Sequence, residues 1–344
     1  MLITQNKKIT VLMPVYNAGA LVGTSVRSVI NQTFTDFEFL IIDDCSTDNT
    51  VAILESFSDR RIRLIKNDTN LGVARTLNRG LDLAFGKYVA RMDADDICCP
   101  ERLKKQYHFM ERNPNVGLAG TWVKYFGDQL PVVERAPSGP EVVKAFMIFD
   151  NPIFHPSVII RKEEFDRNKL RYDPYYNRTE DFELWLRASE CFDLDNIEEP
   201  LLKYRCHKSS VTSSASEVMN QQACGLLKHG LEKFRESISS EELLLHYKVS
   251  KGQRMQSVKE LCQAEIWLTK LVQLNDITEV YNNEAFRKVA EMIWFRLCQN
   301  STNLGILSWK MSKRGLGERF YAPPFTTKIR FILSILFNKY SLKK

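Results

Sequence analysis

Short apolar runs of β character alternate with helical patterns through the first two hundred residues, and this alternation limits the fold more than any other feature of the chain. ITVLMPV (9–15), FEFLIID (37–43), IRLIK (62–66) and KYVARM (87–92) read as strands. Between the first two, Val22, Val26, Val29 and Ile30 recur at helical spacing, and VARTLNRGLDLA (73–84) reads as a helix before the fourth. Strand–helix–strand units of this kind close by right-handed crossovers and build a Rossmann-like α/β architecture, a mostly parallel sheet flanked by helices. Ligands of such sheets bind beyond the carboxyl ends of the strands, so PVYN (14–17), IDD (42–44) and MDADD (92–96) should converge on one side.

Further along, a helix is expected from Pro100 to Asn113, with proline at its first position. Strands follow around VGLAGTWV (116–123) and PSVIIR (156–161), then a helix from Asp181 to Glu190 and a strand near FDLDNI (192–197). Strand signals vanish after about Ser209, and Ser216 to Asn300 is helical in pattern. The expected division is an α/β domain over 1–212 and a mainly helical C-terminal appendage over 213–344 that ends in a basic amphipathic tail; 344 residues suffice for both.

Charge and cysteine use exclude several functional classes. The stretch from Lys310 to Lys344 holds nine Lys or Arg against one Glu, a net of +8 in a chain whose total is +6, which leaves −2 for the rest. A basic footprint interleaved with stacking aromatics is missing before Lys310, which argues against a nucleic-acid partner. Eight cysteines without a CxxC pair give neither a zinc ribbon nor a disulfide framework, and reduced thiols fit a cytoplasmic protein. No run approaches the ~20 apolar residues of a membrane-spanning helix.

Asp93, Asp95 and Asp96 crowd three negative charges at a strand end, against their Coulomb repulsion. Three readings are open: a divalent-cation site built from hard carboxylate oxygens, a solvated turn with a helix cap, or a catalytic acid pair. Asp43 and Asp44 end the second strand either as acceptors for a ribose or base, or as part of a capped turn. The first turn, PVYNAGALVG, lacks G-x-G-x-x-G, so a standard dinucleotide site is ruled out, and no Walker A lysine loop occurs.

Taken in order, PVYN, IIDDCSTDNT, NLGVARTLNRGL, DADDICCPERL, HPSVIIR, TEDFELWLR and YRCH resemble glycosyltransferase family two, inverting enzymes of the GT-A fold, over about residues 8 to 210. The resemblance implies that Pro14, Tyr16, Asn17 and Asp44 line the pocket for uracil and ribose. It places Asp93 on the ribose side and Asp95 on a metal, Mn²⁺ or Mg²⁺, that bridges the diphosphate, with Asp96 reinforcing either. The last carboxylate of TED falls on Asp181 as general base, beside Glu180. His155 and His207 lie in family motifs, His207 as a further metal ligand. Arg205 and Arg75 are candidates for the phosphates, although Leu77 stands where many relatives carry Arg.

On this reading the chain moves a hexose from a UDP-sugar to a saccharide or lipid-linked saccharide acceptor in cell-surface polysaccharide synthesis. A non-catalytic nucleotide-sugar-binding scaffold is the competing class, and a nucleotidylyltransferase is disfavoured because it would carry a glycine-rich phosphate loop. In the tail, Arg330, Ser334 and Asn338 form a narrow polar strip, while Ile329, Ile332, Leu333, Leu336 and Phe337 fill the other side. Such a helix either lies at the inner face of the cell membrane or docks on the protein's own core.

Overall fold

The structure is a computed structural model that describes residues 7–128, 130–206, 217–316 and 319–341, without the side chains of 217–220 and 337–341. Two compact units divide the chain, 1–140 with 152–222 and 141–151 with 223–344. Residues 141–151, which pattern alone assigned to the α/β part, therefore belong with the helical unit.

The first unit alternates as its pattern demands: β1 (Ile9–Val15), α1 (Val22–Ile30), β2 (Phe37–Asp43), α2 (Thr50–Glu55), β3 (Ile62–Lys66), α3 (Val73–Leu83) and β4 (Tyr88–Arg91). All seven residues of β2 are buried, which is why it reads as an unbroken apolar run with only Glu38 inside it. One oxygen of that carboxylate is bonded in place, Oε1 accepting from Thr10 Oγ1 at 2.6 Å and from the Phe85 amide at 2.6 Å, while Oε2 makes no hydrogen bond among the described residues and lies 3.5 Å from Arg63 Nε. Val22, Val26 and Val29 of α1 pack on one face of the sheet with Val11, Met13 and Ile41. On α3, Gly80 permits close approach to β1, since a Cβ there would fall 2.3 Å from Leu12 Cδ1.

The chain then runs through β5 (Ile97–Cys98), α4 (Arg102–Arg112), β6 (Val116–Gly127), β7 (Val133–Glu134), α5 (Pro140–Phe146), β8 (Ile159–Arg161), α6 (Lys162–Arg167), α7 (Glu180–Ala188) and β9 (Asp193–Cys206). Strand order is β3-β2-β1-β4-β8-β6-β9-β5, with β7 beside β6. β3, β2, β1 and β4 are mutually parallel, whereas β8 is antiparallel to β4 and β6, and β5 to β9. The expected strand at 192–197 is only the start of a fourteen-residue β9 that continues through Tyr204 and Arg205.

The second unit comprises residues 141–151 and the helices α8 (Glu217–Glu232, from Ala223), α9 (Ser240–Ser250), α10 (Val258–Thr278), α11 (Asn283–Asn300), α12 (Ile306–Met311) and α13 (Phe325–Ser341). Its core gathers Ile148 and Phe149 with Trp267, Leu271, Phe286 and Trp294. Buried His246 ties the early segment in: its Nε2 lies 2.7 Å from the Ile148 carbonyl, while its Nδ1 accepts from Trp267 Nε1 at 3.1 Å. This arrangement requires a neutral ring, and burial pushes the imidazole down to about 4. All eight cysteines are free, and no helix of the described residues is long and apolar enough to cross a membrane.

Candidate active site

The parallel register sets three strand ends side by side. Val15 pairs with Asp43 and Leu12 with Arg91, so the segments after β1, β2 and β4 leave one edge of the sheet together. Asn17 and Cys45 turn in the left-handed region, with φ of 48° and 63°. Asparagine tolerates that conformation because its short amide bonds locally. Here the Asn17 amide nitrogen donates to Ser46 Oγ at 2.9 Å and its Oδ1 accepts from the Thr47 amide at 2.8 Å, which stitches the first two turns together. Pro14 is half-buried beneath them and Tyr16 is exposed.

Asp44 is buried, and its carboxylate is an organiser of the next loop. Oδ1 accepts from Asn67 Nδ2 at 2.6 Å and from the Leu71 amide at 2.9 Å, and Oδ2 accepts from the Gly72 amide at 2.9 Å. Its neighbour Asp43, given no separate role by sequence, is also buried; Oδ2 takes the Ser46 amide at 3.2 Å, and Oδ1 makes no hydrogen bond among the described residues. Arg75 is exposed in the first turn of α3.

After β4, oxygens of Asp93, Asp95 and Asp96 lie within 4.8 Å of one another. Arg91, the last residue of β4, grips Asp93 with both terminal nitrogens, at 2.7 and 2.6 Å. Asp96 is the deepest of the three, only 1% exposed. Its Oδ1 accepts from the Arg205 amide at 2.8 Å, and its Oδ2 is buried without a hydrogen-bond partner among the described residues. Burial, followed by the charges of Asp93 and Asp95, holds the Asp96 carboxyl well above the ordinary carboxylate range. A divalent cation would satisfy that orphaned oxygen and remove the repulsion, so the donor set, all carboxylate oxygen, fits Mg²⁺ or Mn²⁺. Arg205 closes the loop: Nε donates to the Asp95 carbonyl at 2.7 Å, and the guanidinium lies 4.4 Å from the Phe126 ring centre. His207 lies outside the described residues.

Glu180, Asp181 and Glu183 occupy the first turn of α7, where the helix dipole favours negative charge. Glu183 is committed to Arg187, at 2.6 and 2.7 Å. Asp181 is half-buried and accepts from the Phe182 amide at 2.8 Å. Glu180 is buried, its Oε2 unpartnered among the described residues, and burial together with the Asp181 charge pushes its carboxyl up to about 7. Beside it His155 Nε2 meets the hydroxyl of buried Tyr172 at 2.9 Å, and both rings pack on Trp185. Burial and the nearby Arg91 charge hold His155 well below its usual range, so its ring is neutral.

Arg91 is the residue that sequence reading missed. Its charge acts on Asp93, Asp96, His155, Tyr172 and Glu180, which places it between the aspartate loop and the start of α7. Pattern concealed it, because KYVARM reads as a strand and no motif singles out its arginine. A profile of Glycosyl transferase family 2 matches residues 10–184, just over half of the chain, across all of these elements except β9.

The chain belongs to glycosyltransferase family 2. This glycosyltransferase is 31% identical over 266 residues to an uncharacterized glycosyltransferase of Haemophilus influenzae, covering 72% of this chain and 82% of that one. It is 28% identical over 217 residues to the UDP-Glc:alpha-D-GlcNAc-diphosphoundecaprenol beta-1,3-glucosyltransferase WfgD of Escherichia coli, covering 62% and 83%. Among solved structures, residues 1–349 of Staphylococcus aureus TarS in complex with UDP-GlcNAc align with a TM-score of 0.57 at 18% identity, over 84% of this chain and 87% of that one. The glycosyltransferase therefore has the GT-A fold that its motifs led one to expect.

Proposed function

We propose that this glycosyltransferase is an inverting, divalent-cation-dependent hexosyltransferase using a UDP-sugar and a saccharide acceptor, lipid-linked, in surface-polysaccharide assembly at the cytoplasmic side of the membrane. The observation that carries the proposal is the buried oxygen of Asp96, unpartnered among the described residues, within three converging carboxylates, with a second carboxylate pair opening α7. The UDP-GlcNAc bound by TarS and the UDP-Glc and diphosphoundecaprenol in the name of WfgD support the donor and acceptor classes.

Asp95 and Asp96 would hold Mn²⁺ or Mg²⁺, with His207 as a further ligand. When bound, such an ion stabilises the negative charge of a departing diphosphate. Pro14, Tyr16, Asn17 and Asp44 frame the nucleotide, Asp93 faces the ribose, and Arg75 and Arg205 serve the diphosphate. Asp181 takes the proton of the acceptor hydroxyl as its oxygen forms the new bond to the anomeric carbon; the bond to the diphosphate oxygen breaks with its electron pair, and a single displacement inverts the centre. Glu180, His155 and Tyr172 shape the wall beside it.

Asp181→Asn tests the assignment. Turnover should fall by about 10²- to 10⁴-fold, the usual worth of a general base, while calorimetric UDP affinity in Mn²⁺ stays unchanged. Retained turnover refutes the role.

A further inference from the structure

The helical unit docks its last helix and still leaves an apolar face uncovered. Phe331 and Ile335 of α13 are buried, Phe331 against Phe295 and Trp309 at ring distances of 5.8 and 5.3 Å. Docking on the core thus accounts for one side of the helix. Phe325, Ile329, Ile332, Leu333 and Leu336 are 40–76% exposed. Their spacing of 4, 3, 1 and 3 residues confines them to a stripe about 100° wide at 3.6 residues per turn. Ile306 and Leu307 at the start of α12, which contacts α13, are exposed as well, at 50% and 47%. The five on the α13 stripe alone exceed the scattered exposure normal for a soluble surface.

We propose that α12 and α13 together form a docking surface for an anionic lipid bilayer. Three observations select that occupant. The protein's own core is already covered by the opposite side of α13. The chain from Lys310 onward carries a net of +8, so a second copy pressed onto the same face would meet like charge, whereas anionic headgroups would meet opposite charge. No helix of the described residues is long and apolar enough to cross a bilayer, which leaves lying in the interface as the mode of contact. The inference stands on residues of the helical unit alone; the lipid-linked acceptor proposed above gives it a purpose but no support.

The test is sedimentation of the full chain with vesicles of phosphatidylglycerol or phosphatidylcholine, without donor or acceptor, so its outcome is separate from that of transferase assays. Expected is salt-sensitive binding to phosphatidylglycerol, with at least about tenfold weaker binding to phosphatidylcholine, where only the apolar contribution remains. Ile332→Ser with Leu336→Ser, both exposed and so foldable, should weaken binding at least about tenfold, and Arg330→Glu alone about fivefold or more. An unchanged melting curve and far-ultraviolet dichroism verify that the variants fold. Absence of wild-type sedimentation, equal binding to both lipids, or full binding by the double-serine variant overturns the proposal. So does a wild-type dimer in gel filtration that the double-serine variant converts to monomer, since the stripe would then belong to a second copy.

Discussion

Replacing Asp96 by Asn should stabilise the enzyme in chelator and abolish its response to divalent ions. The buried carboxylate faces Asp93 and Asp95 at no more than 4.8 Å. At that separation and an effective dielectric of ~20, each like pair repels by about 3 kcal/mol, and the bidentate hold of Arg91 on Asp93 offsets much of one pair. Because the Asp96 carboxyl sits well above its unfolded value, the folded state binds a proton more tightly, and metal-free stability falls as pH rises from the unfolded value toward the native one. Asn removes that loss, keeps an oxygen for the Arg205 amide, and offers its own N–H to the remaining carboxylates. Allowing for relaxation, about 1–2 kcal/mol should be gained at pH 8 in EDTA, or roughly 2–8 °C in melting temperature. Saturating Mn²⁺ should raise the wild-type midpoint, by about 2.7 kcal/mol at a hundredfold excess over Kd, and leave the variant unmoved. A wild-type curve indifferent to Mn²⁺, or a variant that melts lower in EDTA, would refute the reasoning.

Two further changes probe the other half of the site. Glu180 is pushed up to about 7, so its burden appears between its unfolded value and pH 7; Glu180→Gln should stabilise by about 1–3 kcal/mol at pH 8 and by nothing at pH 4, read from urea midpoints at the two pH values. Equal effects at both would show that its charge is not what matters. Arg91→Ala strips a buried partner from Asp93 and should cost about 3 kcal/mol of unfolding free energy while raising the KM for donor. A loss below about 1 kcal/mol would place the arginine outside the site's framework.

What could be read in advance was whatever local pattern controls. β1, β2 and β3 announce themselves as apolar runs, and α1 by valines spaced to cover a sheet face. Motif order then singled out Asp93, Asp95 and Asp181 as candidates. The remainder depends on contacts distant in sequence. Nothing in YRC shows that the Arg205 amide will reach Asp96, 109 positions earlier, because β9 must first pair with β6 and β5. Asp44 stands out in sequence as a carboxylate at a strand end, but its hold on loop 67–72 does not, because no periodicity encodes that loop's register. In the tail, amphipathicity was legible, but helical pattern could not divide the apolar residues into Phe331 and Ile335, which dock, and the stripe that stays bare.

The chain passes between its two compact units three times, near residues 140, 151 and 222. During synthesis, Ile148 and Phe149 therefore emerge well before Trp267, Phe286 and Trp294, the residues that will enclose them. A ribosome paused once residue 222 has cleared its exit tunnel would display a nearly finished catalytic unit carrying a greasy loop with nothing to cover it. Gene truncation at that point would make the same exposure permanent, so insolubility after cutting the chain there would reflect a severed core and not a catalytic unit unable to fold.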